Sequence, residues 1–121
     1  MDNDGASLMM NSKEQIFAEK LRALVNLGTF SGRVKDIFDL CYLSEFVNAE
    51  VLMKCLHTFI LDDPEMREND MQAIIHRVSK IFSDKDFCQA VENSRRDNWL
   101  GIRAHVAFER ILTLLKSLPD M

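Results

Sequence analysis

Three charged side chains in the first third of the chain could do chemistry because of where they lie on their predicted helices. Lys20 falls in the middle of an apolar helix face, with apolar residues at all its i±3 and i±4 positions. Burying an unpaired ammonium costs several kcal/mol, so this lysine must reach solvent, pair with a carboxylate or face a ligand cleft. On the next predicted helix, the i, i+3 spacing of Asp36 and Asp39 puts two carboxylates on one side. Such a pair can hold a divalent cation or share a proton, and it equally suits a solvated surface beside Arg33 and Lys35.

The other reactive residue types form no recognisable site. The three histidines lie on three predicted helices without metal-ligand spacing, and the three cysteines include no C-x-x-C pair. We therefore expect reduced thiols that lie mostly in the core. Arg95, Arg96 and Arg103 surround Trp99 in a basic and aromatic cluster. We predict that Trp99 anchors the start of a helix in the core, and the alternative is a platform on which a base stacks.

Length and composition set the fold class. The chain has 121 residues, enough for one domain, and its 4 glycines and 2 prolines are too few for a many-stranded sandwich or barrel. A net charge of −4 excludes indiscriminate binding to nucleic acid through a basic surface. The sequence has no signal-peptide pattern and no long apolar run, so we expect a cytoplasmic protein with no membrane partner.

The elements that position these residues are predicted to be helices throughout. Residues 1–11 are polar and aperiodic, and we expect a disordered lead-in; residues 12–121 are predicted to form a compact all-α domain of five or six amphipathic helices. Ser12 and Gly28 bound the first helix, and the last runs from Ile102 to Leu118. The other helices are predicted at 33–46, from residue 48 to about 60, from 66 or 70 to 82, and around 86–92. We expect the first and last helices to pack together over a core that includes Leu21, Leu24, Phe38, Phe59, Ile111 and Leu115.

Two segments around the charged residues resemble a known family. Residues 18–21 (AEKL) and 33–40 (RVKDIFDL) are similar to the A-E-K-L and R-x-K-D-x-x-D-L helices of AbiEii/AbiGii-type nucleotidyltransferase toxins. These toxins belong to type IV toxin–antitoxin and abortive-infection systems, and the motifs lie in their C-terminal helical part. Residues 108–119 also look like the final helix of the family, so the resemblance covers residues 14–118.

The resemblance implies a bacterial enzyme that transfers a nucleotide from a nucleoside triphosphate (NTP) to a target, with Mg²⁺ held by carboxylates. It also implies roles for single residues. Lys20 would contact the phosphates, and Asp36 would assist in positioning or proton transfer, so these two are the predicted catalytic residues. The supporting residues implied by the same motifs are Glu19, Arg33, Lys35 and Asp39.

One part of the family pattern is missing from the sequence. The N-terminal lobe of the family, with its Gly-Ser turn and D-x-D metal carboxylates, is not recognisable here. We therefore expect a C-terminal helical lobe that holds no cofactor of its own and is inactive alone, with the missing lobe or an antitoxin protein as partner. The alternative is a non-enzymatic helical module that binds a partner protein or itself, and contact with nucleic acid is left open.

The family hypothesis makes one geometric prediction. Lys20 needs a counter-charge, and the carboxylate pair on the following helix is brought near by a short connection at residues 29–32. The Lys20 ammonium should then lie within about 10 Å, one Debye length, of Asp36 or Asp39, in one partly open cleft.

Overall fold

The computed structural model describes residues 12–28 and 34–119, which form six α-helices and contain no β-strand. The helices are α1 (Lys13–Leu27), α2 (Val34–Leu43), α3 (Ala49–Leu56), α4 (Met71–Ser83), α5 (Lys85–Asn93) and α6 (Ala104–Ser117). A π-helical segment, His57–Leu61, continues α3. The predicted all-α fold of five or six helices is confirmed. The predicted lead-in at 1–11 and the connection at 29–32 lie outside the described residues.

Short polar side chains begin several of these helices, as their sequence predicts. The Ser12 hydroxyl accepts a hydrogen bond from the Gln15 amide at 3.1 Å, and Asn48 does the same for α3. Asp70 starts α4, so the later of the two predicted starts is correct. Gly28 ends α1 with a φ of +61°, a conformation that a residue with a Cβ rarely adopts.

The helix packing differs from the prediction in one respect. α1 packs on α2, α3, the π-helical segment and α4, whereas α6 packs on α2, α4 and α5. The prediction that the first and last helices form a packing pair is wrong, because α2 and α4 lie against both of them. α2 is therefore a shared wall between α1 and α6.

The core has the expected composition with one exception. Leu21, Leu24, Phe38, Ile111 and Leu115 are buried as predicted, but Phe59 is only half-buried. Phe59 lies in the π-helical segment, where a wider turn rotates side chains away from their α-helical positions. Ile60 and Leu61 face the core in its place. Among the described residues, no helix is long and apolar enough to cross a membrane.

The three cysteines are free thiols, as expected. Cys41 lies in the core, whereas Cys55 and Cys88 are half-buried at its edge. Burial raises the pKa of all three thiols, which keeps them protonated and unreactive near neutral pH.

A buried carboxylate joins the first and third helices. Glu14 is 4% exposed, and its Oε2 accepts a hydrogen bond from the backbone amide of Asn48 at 2.7 Å. Lys13 lies 3.6 Å from the same carboxylate oxygen. The contact fixes the start of α3 against the start of α1.

Replacing Glu14 by alanine should lower the free energy of unfolding by about 1–3 kcal/mol, because the Asn48 amide loses a charged acceptor at a partly buried contact. Urea denaturation measures this loss. Glu19→Ala, at an exposed position of the same helix, is the matched control and should change stability by no more than about 0.5 kcal/mol. Equal effects of the two substitutions would show that the Glu14 contact is not stabilising.

Candidate functional site

The pairing of α1 with α2 places the Lys20 ammonium between two carboxylates. Its Nζ donates a hydrogen bond to Asp36 Oδ1 at 2.8 Å and lies 3.2 Å from Asp39 Oδ2. The Lys20 side chain keeps 27% of its surface exposed. The predicted proximity is confirmed, and the lysine on the apolar face has found carboxylates at an accessible edge of the helix pair.

The two carboxylates determine how Lys20 titrates. Burial by itself lowers the pKa of Lys20, but the hydrogen bonds and negative charges of Asp36 and Asp39 outweigh it and raise the pKa above its ordinary value. Lys20 is therefore a fixed positive charge at neutral pH. The three groups together carry a formal charge of −1.

The same geometry decides between the interpretations of the aspartate pair. Asp36 is 6% exposed, so its carboxylate is no part of a solvated surface. The Lys20 ammonium occupies the position between the carboxylates that a divalent cation would need. Among residues 12–28 and 34–119, no group of three or more His, Cys, Asp or Glu residues could hold a metal ion. With Lys20 between its only close carboxylate pair, the described part of this site therefore does not fit a Mg²⁺ ion.

The loop between α5 and α6 also contributes a residue to the site. The indole Nε1 of Trp99, in the loop between α5 and α6, donates a hydrogen bond to Asp39 Oδ1 at 2.9 Å. The Trp99 ring lies against that of Tyr42, with centroids 5.0 Å apart. Trp99 is 51% exposed, so the prediction of a core anchor is wrong. Its position in a polar loop among arginines was the only sequence signal for a surface role.

An open pocket of about 530 Å³ adjoins this contact. It is lined by Lys35, Asp39, Arg96, Asp97 and Trp99. Lys35 and Arg96 offset the charge of Asp97 and the −1 of the Lys20 cluster (Lys20, Asp36 and Asp39), so pocket and cluster together carry a formal charge of zero. Arg96 therefore joins the candidate site, although the sequence marked it only as a neighbour of Trp99.

The structure brings some of the predicted site residues together and leaves others apart. Lys20, Asp36 and Asp39 are in contact, and Lys35 lines the pocket beside them. Glu19 is exposed on α1 and takes no part in these contacts. Arg33 lies outside the described residues. The catalytic and supporting roles assigned to these residues stay predictions.

Comparison with known proteins agrees with the resemblance. A protein-family model described as "Nucleotidyl transferase AbiEii toxin, Type IV TA system" matches residues 1–113. The match includes all the residues in contact at the candidate site. No curated protein and no solved structure gives a significant match.

Replacing Lys20 by methionine should lower the free energy of unfolding by about 2 kcal/mol at neutral pH. The loss is smaller than the 3–5 kcal/mol of a fully buried pair because Lys20 is partly exposed. Since the pKa of Lys20 is raised in the folded state, this stabilisation is complete below the unfolded pKa of about 10.4. It is lost as the pH rises through the folded pKa, where the wild-type chain also loses its ammonium.

Urea denaturation of both proteins at neutral pH and at a pH above the raised folded pKa of Lys20 measures this difference. Lys80→Met, at an exposed position of α4, is the control and should stay within about 0.5 kcal/mol of the wild type. A difference between wild type and Lys20→Met that does not shrink at high pH would contradict the assigned ion pair.

Proposed function

This chain belongs to the AbiEii nucleotidyl transferase toxins of type IV toxin–antitoxin systems, and we propose that its helices form the lobe that binds the triphosphate during nucleotide transfer. The observation that carries the proposal is the Lys20 ammonium, held at a partly open surface by Asp36 and Asp39. These residues occupy the positions of the A-E-K-L and R-x-K-D-x-x-D-L motifs. In this proposal the protein acts in the bacterial cytoplasm.

Lys20 is proposed to bind a phosphate oxygen of the incoming nucleotide. An ammonium has three N–H donors, and contacts with two aspartates let it direct the third towards a ligand. An ammonium that is already held in place stabilises the negative charge that develops on the phosphate oxygens during nucleotide transfer, and it does so without further reorganisation. Lys35 and Arg96 beside the pocket would reduce the repulsion between the triphosphate and the two aspartates.

Asp36 is proposed to orient Lys20 and to accept the proton of the hydroxyl group that attacks the α-phosphorus, while the bond to pyrophosphate breaks and pyrophosphate leaves. Its carboxylate is almost buried and lies 2.8 Å from the Lys20 ammonium, so it acts where the phosphates would bind. Asp39 contacts the same ammonium from 3.2 Å and is proposed to orient it.

The metal carboxylates of the reaction are proposed to come from another lobe. Nucleotide transfer uses metal ions to align the triphosphate and neutralise its charge, and the described residues do not fit such a site. We place the metal on a lobe with a Gly-Ser turn and a D-x-D motif, in a longer chain or a separate one. The 121 residues would then be inactive alone, and an antitoxin protein is a second proposed partner.

A transfer assay tests this proposal. The 121-residue chain, incubated with α-³²P-labelled NTPs and a bacterial extract, should label no RNA or protein. Adding a lobe with the Gly-Ser turn and D-x-D motif, encoded beside this reading frame, should produce labelling. In the combined assay, Lys20→Ala and Asp36→Ala should each lower the rate about 100-fold or more.

Gln72→Ala, at an exposed position of α4 away from the site, is the control and should keep the rate unchanged. Labelling by the isolated chain would overturn the proposed inactivity. Labelling by the combined lobes that persists in Lys20→Ala would overturn the role of the site.

A second candidate function is protein binding without catalysis. It is favoured by three adjacent exposed aromatic side chains, Tyr42, Phe46 and Trp99, whose neighbouring ring centroids are 4.9 and 5.0 Å apart. Such a patch is typical of a surface that a partner covers. In this case Phe46→Ser would abolish binding to the partner while Lys20→Ala would leave it unchanged, whereas a nucleotidyl transferase requires Lys20 for transfer.

A further inference from the structure

We infer that Trp99 is a positioning residue of this site, whose indole N–H holds the Asp39 carboxylate in the orientation that faces the Lys20 ammonium. The consequence for catalysis rests on the proposed function. The positioning itself is a property of this chain and can be measured without a nucleotide.

Asp39 divides its two oxygens between two partners. Oδ1 accepts the hydrogen bond of the Trp99 indole at 2.9 Å, and Oδ2 lies 3.2 Å from the Lys20 ammonium. The terminal torsion of an aspartate is broad, so a carboxylate held at one oxygen alone can turn towards water. The second contact removes that freedom. The indole therefore fixes the oxygen that Lys20 uses.

The indole suits this role because it is a neutral donor. A lysine or arginine at position 99 would compete with Lys20 for the Asp39 charge, and the local field at the ammonium would weaken. Tryptophan donates one hydrogen bond and carries no charge. It orients Asp39 and leaves the formal charge of the Lys20 cluster at −1.

The loop that carries Trp99, residues 94–103, is itself held firmly. The Asn98 side chain accepts a hydrogen bond from the Gly101 amide at 2.9 Å and donates one to the Ile102 carbonyl at 2.8 Å. Gly101 has a φ of +67°, a conformation that suits glycine in this turn. On the other side the indole ring rests on Tyr42. Support of both the backbone and the ring gives the N–H a defined direction.

At the far end of the loop, Glu92 accepts hydrogen bonds from the Ala104 amide at 2.9 Å and from Arg103 at 2.6 Å. This contact ties the last turn of α5 to the first turn of α6. The loop thus connects two helix ends that are fixed to each other. Through Trp99 it contacts Asp39, 60 residues earlier in the chain, and so supports a site on α1 and α2.

Competitive acetylation tests the inference on the isolated chain. Acetic anhydride reacts with the neutral amine, so the labelling rate of Lys20 at about pH 9 follows its deprotonated fraction. With Trp99→Phe, which keeps an aromatic ring and loses the N–H, Asp39 turns to water and Lys20 loses part of its counter-charge. Its labelling rate, measured by mass spectrometry against Lys80 in the same sample, should rise about threefold, because the pKa of Lys20 falls when its counter-charge weakens.

A double substitution separates positioning from general loosening of the loop. Asp39→Asn should raise the labelling rate at least as much as Trp99→Phe, and adding Trp99→Phe to Asp39→Asn should raise it no further. Gln72→Ala, at an exposed position of α4, is the control and should leave the rate unchanged. An unchanged rate in Trp99→Phe, or a further rise in the double variant, would overturn the inference.

A second measurement does not depend on how well Trp99→Phe folds. The chain has one tryptophan and hence one indole N–H resonance. Its exchange with solvent should be slower in the wild-type chain than in Asp39→Ala, which removes the acceptor, and equal rates would also overturn the inference. Neither measurement uses a nucleotide. A failed transfer assay with these results intact would count against the proposed function and leave the positioning role standing.

Discussion

An ammonium on an apolar helix face is tolerated only where counter-charges meet it, and this constraint explains the pairing of α1 with α2. Lys20 lies among the apolar side chains of α1, and the two carboxylates that receive it are one turn apart on α2. Rotation of either helix by one residue would separate the charges and leave Asp36 buried without Lys20. The ion pair therefore specifies how the two helices face each other, whatever its net contribution to stability.

α2 belongs to the core and the candidate site at the same time. Its Ile37, Phe38, Leu40 and Cys41 are fully buried, while Asp36 and Asp39 emerge beside them at the edge of the core. The helix also packs on α1, α5 and α6, so core packing on one side sets the position of carboxylates on the other. Core packing thus places the carboxylates that meet Lys20.

The parts of this arrangement that depend on local chemistry could be predicted from the sequence. Ser12 and Asn48 have short polar side chains that satisfy amides three residues later, and they begin helices for that reason. The contact of Lys20 with Asp36 and Asp39 was also predictable. A short connection makes consecutive helices neighbours, and a lysine on an apolar helix face needs a counter-charge.

The contacts that depend on the tertiary fold could not be predicted. Trp99 and Asp39 are 60 residues apart, and a lone tryptophan in a polar loop gives no indication of its partner. The hydrogen bond from the Asn48 amide to Glu14 spans 34 residues. In the sequence, Glu14 is indistinguishable from an ordinary exposed glutamate in the first turn of a helix. Phe59 was predicted in the core but is half-buried, because its helix changes to a π-helical turn that the α-helical periodicity of the sequence does not indicate.

The most direct test of the central claim, that Lys20 is a phosphate-binding charge held by two aspartates, is a crystal structure of the assembled lobes with a non-hydrolysable NTP. We predict a phosphate oxygen about 3 Å from Lys20 Nζ, with the contacts to Asp36 and Asp39 retained. Phosphates bound more than about 10 Å from Lys20, beyond the range of its screened charge, would contradict the account.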